Sequence, residues 1–149
     1  MDKRDLTILN ALQRDARLSY RELAQRAGLS APAVAERVRK MEAKRVIRGY
    51  HADVDPGALG YAVEALMTVT YPSHLSRRMY ALAQATQEIV ECLHVSGGAS
   101  VVLRVVAKST RQLEELMLKV QQIGTTQTAI ILSVPFRRAA LEAPRDAVG

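Results

Sequence analysis

The sequence predicts an α+β protein, with a winged helix-turn-helix module followed by a ferredoxin-like βαββαβ module. Three observations lead there. Helical segments with recognisable start signals fill the first 45 residues, and strand and helix patterns in the order βαββαβ occupy 61–136. Between them, Asp53-Val-Asp-Pro-Gly-Ala-Leu-Gly60 is dense in turn formers and reads as a hinge. The expected organisation is a first module over 1–50 with its motif at about 20–40, a hinge over 51–60, a second module over 61–136 and a frayed tail over 137–149.

Asp2 is placed to cap a helix over 3–14 with Leu6, Leu9 and Leu12 on its apolar stripe. Ser19 and Glu22 have capping-box spacing, and the short helix they open stops at Gly28, a residue suited to the left-handed position past a helix end. Ser30 caps a third helix with Pro32 in its first turn, where a missing N–H is harmless. Val34, Val38 and Met41 fall on one face of it. The opposite face carries Ala31, Ala33, Glu36, Arg37 and Lys40, with Arg39, Lys44, Arg45 and Arg48 nearby. Residues 46–54 read as an extended strand.

In the second module a strand over 61–71 puts Val63, Ala65, Met67 and Val69 on one face. Ser73 is the expected cap of a helix over 74–85 carrying Leu75, Met79 and Leu82. Strands 89–96 and 99–107 flank Gly97-Gly98, a hairpin-turn signal. Ser109 and Gln112 repeat the capping-box spacing before a helix to 122, which Gly124 ends, and a strand over 126–134 closes the set. On the other sheet face Leu66, Val102, Val106 and Ile131 mix with Glu64, Thr68, Arg104 and Ser133. That is too apolar for an open solvent face, so a second subunit is expected to cover it. Glu64 and Arg104 are placed to form a cross-strand ion pair there.

Charge divides as the modules do. Residues 1–49 hold 12 Lys and Arg against 6 Asp and Glu, whereas residues 50–149 hold 9 against 9. The whole excess of +6 therefore lies in the helical module, the footprint of polyanion binding, although a solvated basic surface has the same composition. Small residues at the start of the third helix admit close approach to a major groove. Arg and Lys further along reach guanine edges or phosphates. The candidate DNA-binding residues are Tyr20, Arg21, Ser30, Ala31, Ala33, Glu36, Arg37 and Lys40.

These residues carry a resemblance. Asp5-Leu-Thr-Ile-Leu9, Leu12 to Arg17, Glu22-Leu-Ala24, Gly28-Leu-Ser30, Val34, Arg37-Val38 and Val46-Ile47-Arg-Gly49-Tyr50 resemble the DNA-binding region of the leucine-responsive/asparagine (Lrp/AsnC) regulators. One departure is Arg45, where the family usually has Gly. The resemblance implies a sequence-specific transcription regulator bound to double-stranded DNA, with a second module of the RAM type for dimerisation and effector binding. Dimers in this family often associate into tetramers or octamers. It also implies an amino-acid effector near the hairpin, where the family pattern is roughly Val-Thr-Gly-x-x-Asp. Here the stretch is Val95-Ser96-Gly97-Gly98-Ala99-Ser100, with Ser100 in place of the Asp that pairs with a ligand ammonium. Thr126 and Thr128 match the family's Thr-x-Thr and are expected to line the same cleft, or to serve the strand alone.

Other classes find less support. No stretch approaches the roughly 18 apolar residues of a membrane helix, and the charged start is unlike a signal peptide, so a cytoplasmic protein is expected. Cys92 is the sole cysteine, and His51, His74 and His94 are scattered, so neither a metal site nor a catalytic set is expected, nor any cofactor. Some sirohaem decarboxylases resemble the same fold, but one Phe, one Asn and no Trp make a poor porphyrin site. An architectural DNA-binding protein with little sequence preference fits every residue above, and is the main alternative.

Overall fold

The computed structural model describes residues 1–138 and 140–143, which form two compact units. One contains Met1–Asp53 and the described residues after Val134; the other is Val54–Val134.

The first unit is three helices, α1 (Lys3–Arg14), α2 (Tyr20–Ala27) and α3 (Ala31–Ala43). Each starts where a side chain satisfies orphaned backbone donors. Asp2 and Asp5 form a capping box on α1, Ser19 and Glu22 another on α2, and Ser30 accepts from the Ala33 N–H on α3. The helices bury Ile8, Ala11, Leu23, Ala24, Val34, Val38 and Met41 together. The α1 stripe is thus centred on Ile8 and Ala11 with Leu9 and Leu12 at its flanks, one position round from the expected Leu6 line.

α3 ends in a Schellman motif. The Arg45 N–H donates to the Glu42 carbonyl and the Val46 N–H to the Met41 carbonyl. That geometry needs a left-handed residue, and Arg45 supplies it at φ 55°. A side chain there costs about 1 kcal/mol relative to glycine. Arg45→Gly is therefore expected to stabilise this unit by less than about 1 kcal/mol in urea unfolding, the relief of folded-state strain being partly offset by the more flexible unfolded chain.

Residues 46–54 are not a strand, and no β-hairpin wing appears among the described residues. An extended segment becomes a strand only when a partner fills its ladder, and none lies beside it among the described residues. Among the described residues the expected frayed tail is tied down at two points: Arg137 Nη1 lies 3.5 Å from Asp53 Oδ1, and the Leu141 N–H donates to Gln13 Oε1 at 2.8 Å while Gln13 Nε2 donates to the Leu141 carbonyl at 3.1 Å. Ala139 and residues 144–149 lie outside the described residues.

The second unit is β1 (Val63–Thr70), α4 (Ser76–Ala85), β2 (Ile89–His94), β3 (Val101–Ala107), α5 (Thr110–Gln121) and β4 (Thr125–Ile130). The sheet is antiparallel in the order β2-β3-β1-β4, as a ferredoxin-like unit requires. Alternation sends Ala65, Met67, Val69, Val101, Leu103 and Val105 into the core with Met79, Ala83, Leu113, Leu116 and Val120 from α4 and α5. β4 stops at Ile130, short of the expected 134; past its last pair with Ala65, one further bond runs from the Ile131 N–H to the Glu64 carbonyl at 2.9 Å. Ser73 opens a 3-10 turn (Ser73–Leu75) instead of capping α4. On α5, Ser109 accepts from the Gln112 N–H, but Gln112 Oε1 takes the Lys108 N–H, so the box is displaced by one residue.

Gly124 has a role that its position past a helix does not reveal. Its φ is not positive; a Cβ there would run into the Thr70 carbonyl and within 2.9 Å of the Tyr71 Cβ. Only a bare backbone fits between the end of α5 and the end of β1.

The expected Glu64–Arg104 pair does not form. Register sets Arg104 opposite Leu66 on one side and Glu91 on the other, and its Nε donates to Glu91 at 3.3 Å. The outer face is as apolar as expected: Leu66 is 37% exposed and Leu93 45%, beside half-buried Val102 and Ile131. Val106, on the same face, is already buried within the chain.

Candidate nucleic-acid interface and effector hollow

The α2–α3 pair is built as a rigid corner. Gly28 takes the left-handed conformation at φ 63°, and the Leu29 N–H returns to the Ala24 carbonyl at 3.0 Å. Leu23, Val34 and Val38 lock the two helices against α1. With 34, 38 and 41 facing inward, helical spacing turns Pro32, Glu36, Arg39 and Ala43 directly outward. Arg39 is 72% exposed and Lys40 68%. Glu36 lies between them, 2.7 Å from Arg39 and 3.6 Å from Lys40. Lys44, Arg45 and Arg48 are exposed just beyond.

Apart from Arg37, the expected residues divide into three groups. Arg21, Ser30, Glu36 and Lys40 lie open to solvent or nearly so, and Ser30 is committed to its cap. Tyr20 is exposed at the start of α2, above a shallow hollow shared with Glu42 and Tyr50. The Tyr50 phenol donates to Glu42 at 2.9 Å, and burial, then this carboxylate, pushes it up to about 12. Ala31 is half-buried against the core and not on the outer face; Ala33 lies in a hollow of about 460 Å³ between α1 and α3.

Arg37 departs furthest from expectation. Its Nη1 lies 2.7 Å from Asp2 Oδ2 and 2.7 Å from Asp5 Oδ1, so the guanidinium faces α1. The Asp2 carboxyl is held below its ordinary 3.8, first by the Asp5 N–H and then by Arg37. A lowered acid pKa means that this carboxylate's contribution is complete above pH 3.8 and fades as the pH falls through the folded value. Sequence reasoning underweighted Arg39, although its place opposite the 34/38/41 stripe was visible. It had no signal for an interaction between residues 35 apart in the chain.

In the second unit β2 ends at His94 and β3 restarts at Val101, so the hairpin is a six-residue loop and not a two-residue Gly97-Gly98 turn. Gly97 alone is left-handed, at φ 111°. Thr70 Oγ1 donates to the Gly98 carbonyl at 3.0 Å. Between this loop and the outer sheet face lies a hollow of about 390 Å³ lined by Thr68, Thr70, Gly98, Ala99, Thr125 and Gln127. Among the described residues, no charged side chain lines it.

The AsnC-type helix-turn-helix domain model matches residues 1–42, and the Lrp/AsnC ligand binding domain model matches residues 64–141. The chain belongs to the Lrp/AsnC family. The HTH-type transcriptional regulator LrpC of Bacillus subtilis is 33% identical over 133 residues, covering 89% of this chain and 92% of that protein. The solved LrpC structure aligns at a TM-score of 0.87, with 32% identity over 93% of this chain and 99% of that one. LrpA of Mycobacterium tuberculosis is 36% identical over 137 residues, 89% of this chain and 91% of that protein. A feast or famine regulatory protein of M. tuberculosis, solved in complex with L-methionine, aligns at a TM-score of 0.85, with 33% identity over 91% of this chain and 95% of that one.

Set against the family pattern, this Lrp/AsnC chain places three expected effector residues elsewhere. Ser100 Oγ accepts from the Tyr71 N–H and donates to the Tyr71 carbonyl, both at 3.2 Å, so it clips the hairpin to the end of β1 and does not line the hollow. Thr126 and Thr128 pair with Val69 and Met67, which face the helices, so strand parity turns them away from the outer-face hollow. Thr126 Oγ1 takes a bond from Gln121, and the Thr128 hydroxyl is buried without a partner among the described residues. Their neighbours Thr125 and Gln127 line the hollow in their place. Gly98 and Ala99 line the hollow; Ser96 and Gly97 belong to the loop but not to the lining.

Proposed function

We propose that this Lrp/AsnC transcription regulator reads double-stranded DNA through α3 as a cytoplasmic homodimer, with dimers free to assemble further. The observation that carries the reading is the outward face of α3, where Arg39 and Lys40 stand exposed on a corner fixed by Gly28 within a module that holds all of the net charge. Arg39→Ala with Lys40→Ala tests it by fluorescence anisotropy over a salt series. For every phosphate that the variant no longer neutralises, the salt-dependence slope should fall by about 0.9. Wild-type affinity, slope and site preference in the double variant would remove α3 as the reader. No described helix is long and apolar enough to cross a membrane. Regulation is favoured over catalysis because the named relatives are regulators.

The hairpin hollow is the proposed effector site, by analogy with the M. tuberculosis regulator that holds L-methionine. Its lining of hydroxyls, a carboxamide and backbone suits a carboxylate or polar tail but brings no carboxylate to an ammonium. Free amino acids should therefore bind about five- to thirtyfold more weakly than to a site with that charge. Calorimetry with L-methionine and the other amino acids checks this. Ser100→Asp is not the gain-of-binding variant that the family pattern suggests, since a carboxylate cannot donate to the Tyr71 carbonyl and would loosen the loop. Micromolar binding by the wild type, unchanged in Gln127→Ala, would place the effector elsewhere.

A further inference from the structure

We infer that Arg37, with Asp2 and Asp5, is a positioning residue that sets α3 against α1, and that it acts on DNA binding from behind the reading face. The inference rests on α3 being the DNA-facing helix. One guanidinium nitrogen is shared by two carboxylates at 2.7 Å each, one from the cap and one from the first turn of α1. Asp2 and Asp5 are themselves locked by reciprocal bonds of 2.9 Å to each other's backbone N–H. Rotation of α3 about its axis, or sliding along α1, would break both ion pairs at once. Asp5 and Arg37 are also half-buried, and their side chains are held in place by packing as well as charge. The hollow that they border is lined further by Ala33, Glu36 and Lys40, so the triad fixes the flank from which the outward cations project. Besides Arg37 and the acids already named, the charged side chains at this hollow are Lys40 and Lys44, both exposed, and Met1 lines it too.

This assignment separates from a direct DNA contact by the sign of one substitution. Asp5 projects from α1 and is bonded to Arg37, so it has no reading role of its own. If Arg37 touches a phosphate, Asp5→Asn removes a competing negative charge and should tighten DNA binding, while Arg37→Met should lower the salt slope by about 0.9. If Arg37 is a positioning residue, Asp5→Asn and Arg37→Met should each weaken binding, by about threefold to tenfold. Their double variant should then be no worse than the weaker single, and the salt slope should stay at its wild-type value. Arg37→Lys, which keeps the charge but reaches only one carboxylate well, should fall between.

The measurement is anisotropy with the full chain and DNA from its own upstream region, at a temperature where circular dichroism shows each variant folded. Tighter binding by Asp5→Asn, a reduced slope in Arg37→Met, or additive losses would overturn the assignment. Wild-type affinity in both folded single variants would also overturn it, by leaving the triad a stabiliser alone. Failure of the wild type to bind any DNA would instead strike at the reading of α3 itself.

Discussion

Leu66→Glu is expected to turn the protein into a folded monomer and to weaken its binding to operator DNA by about a hundredfold or more, as two linked half-site contacts become one. The leucine stands on the outer sheet face, 37% exposed in the single chain, with Arg104 and Ala129 opposite it on the neighbouring strands. A glutamate there meets water in the monomer and costs little. In a dimer closed over Leu66, Leu93, Val102 and Ile131 it buries a second carboxylate beside Arg104, whose guanidinium is already paired with Glu91. Light scattering at micromolar concentration reads the state directly, and circular dichroism confirms the fold. Val106 is the poorer probe, because its side chain is already buried in the single chain and a charge there would unfold the unit. A wild-type monomer would rule out a dimer closed over this face.

Gly124→Ala is expected to destabilise the second unit by about 1–3 kcal/mol, or more if the backbone cannot yield. The added methyl meets a carbonyl at the end of β1 and the Tyr71 Cβ, and neither belongs to a flexible side-chain tip. The same stretch of β1 is clipped by Ser100 through the Tyr71 backbone, so movement at residue 70 or 71 reaches the effector hairpin. Urea unfolding should show a lower midpoint with an unchanged slope. A variant as stable as wild type would mean that α5 and β1 separate easily at this point.

What was legible in the sequence was local. Asp2, Ser19, Ser30 and Ser109 fixed four helix starts, because a cap is a bond between residues two or three apart. The period-2 pattern of β1 and β3 fixed which residues enter the core. Long-range partners decided the rest. The extended reading of 46–54 failed for want of a neighbouring strand, and register gave Arg104 to Glu91 instead of Glu64. Beginning β4 at Thr125 and pairing it with β1 turned Thr126 and Thr128 inward; a shift of one residue would have turned them to the hollow. Helical spacing places Arg37 beside Lys40, and only the fold brings α1 to meet it.

The most direct test of the central claim is a footprint of the wild-type protein on the DNA upstream of its own gene, at physiological salt. A homodimer reading through two copies of α3 should protect two related half-sites, centred about 10–10.5 base pairs or a multiple of that apart. Protection should survive an excess of unrelated DNA. Uniform coating without boundaries, abolished by that competitor, would contradict sequence-specific regulation and leave an architectural DNA-binding protein in its place.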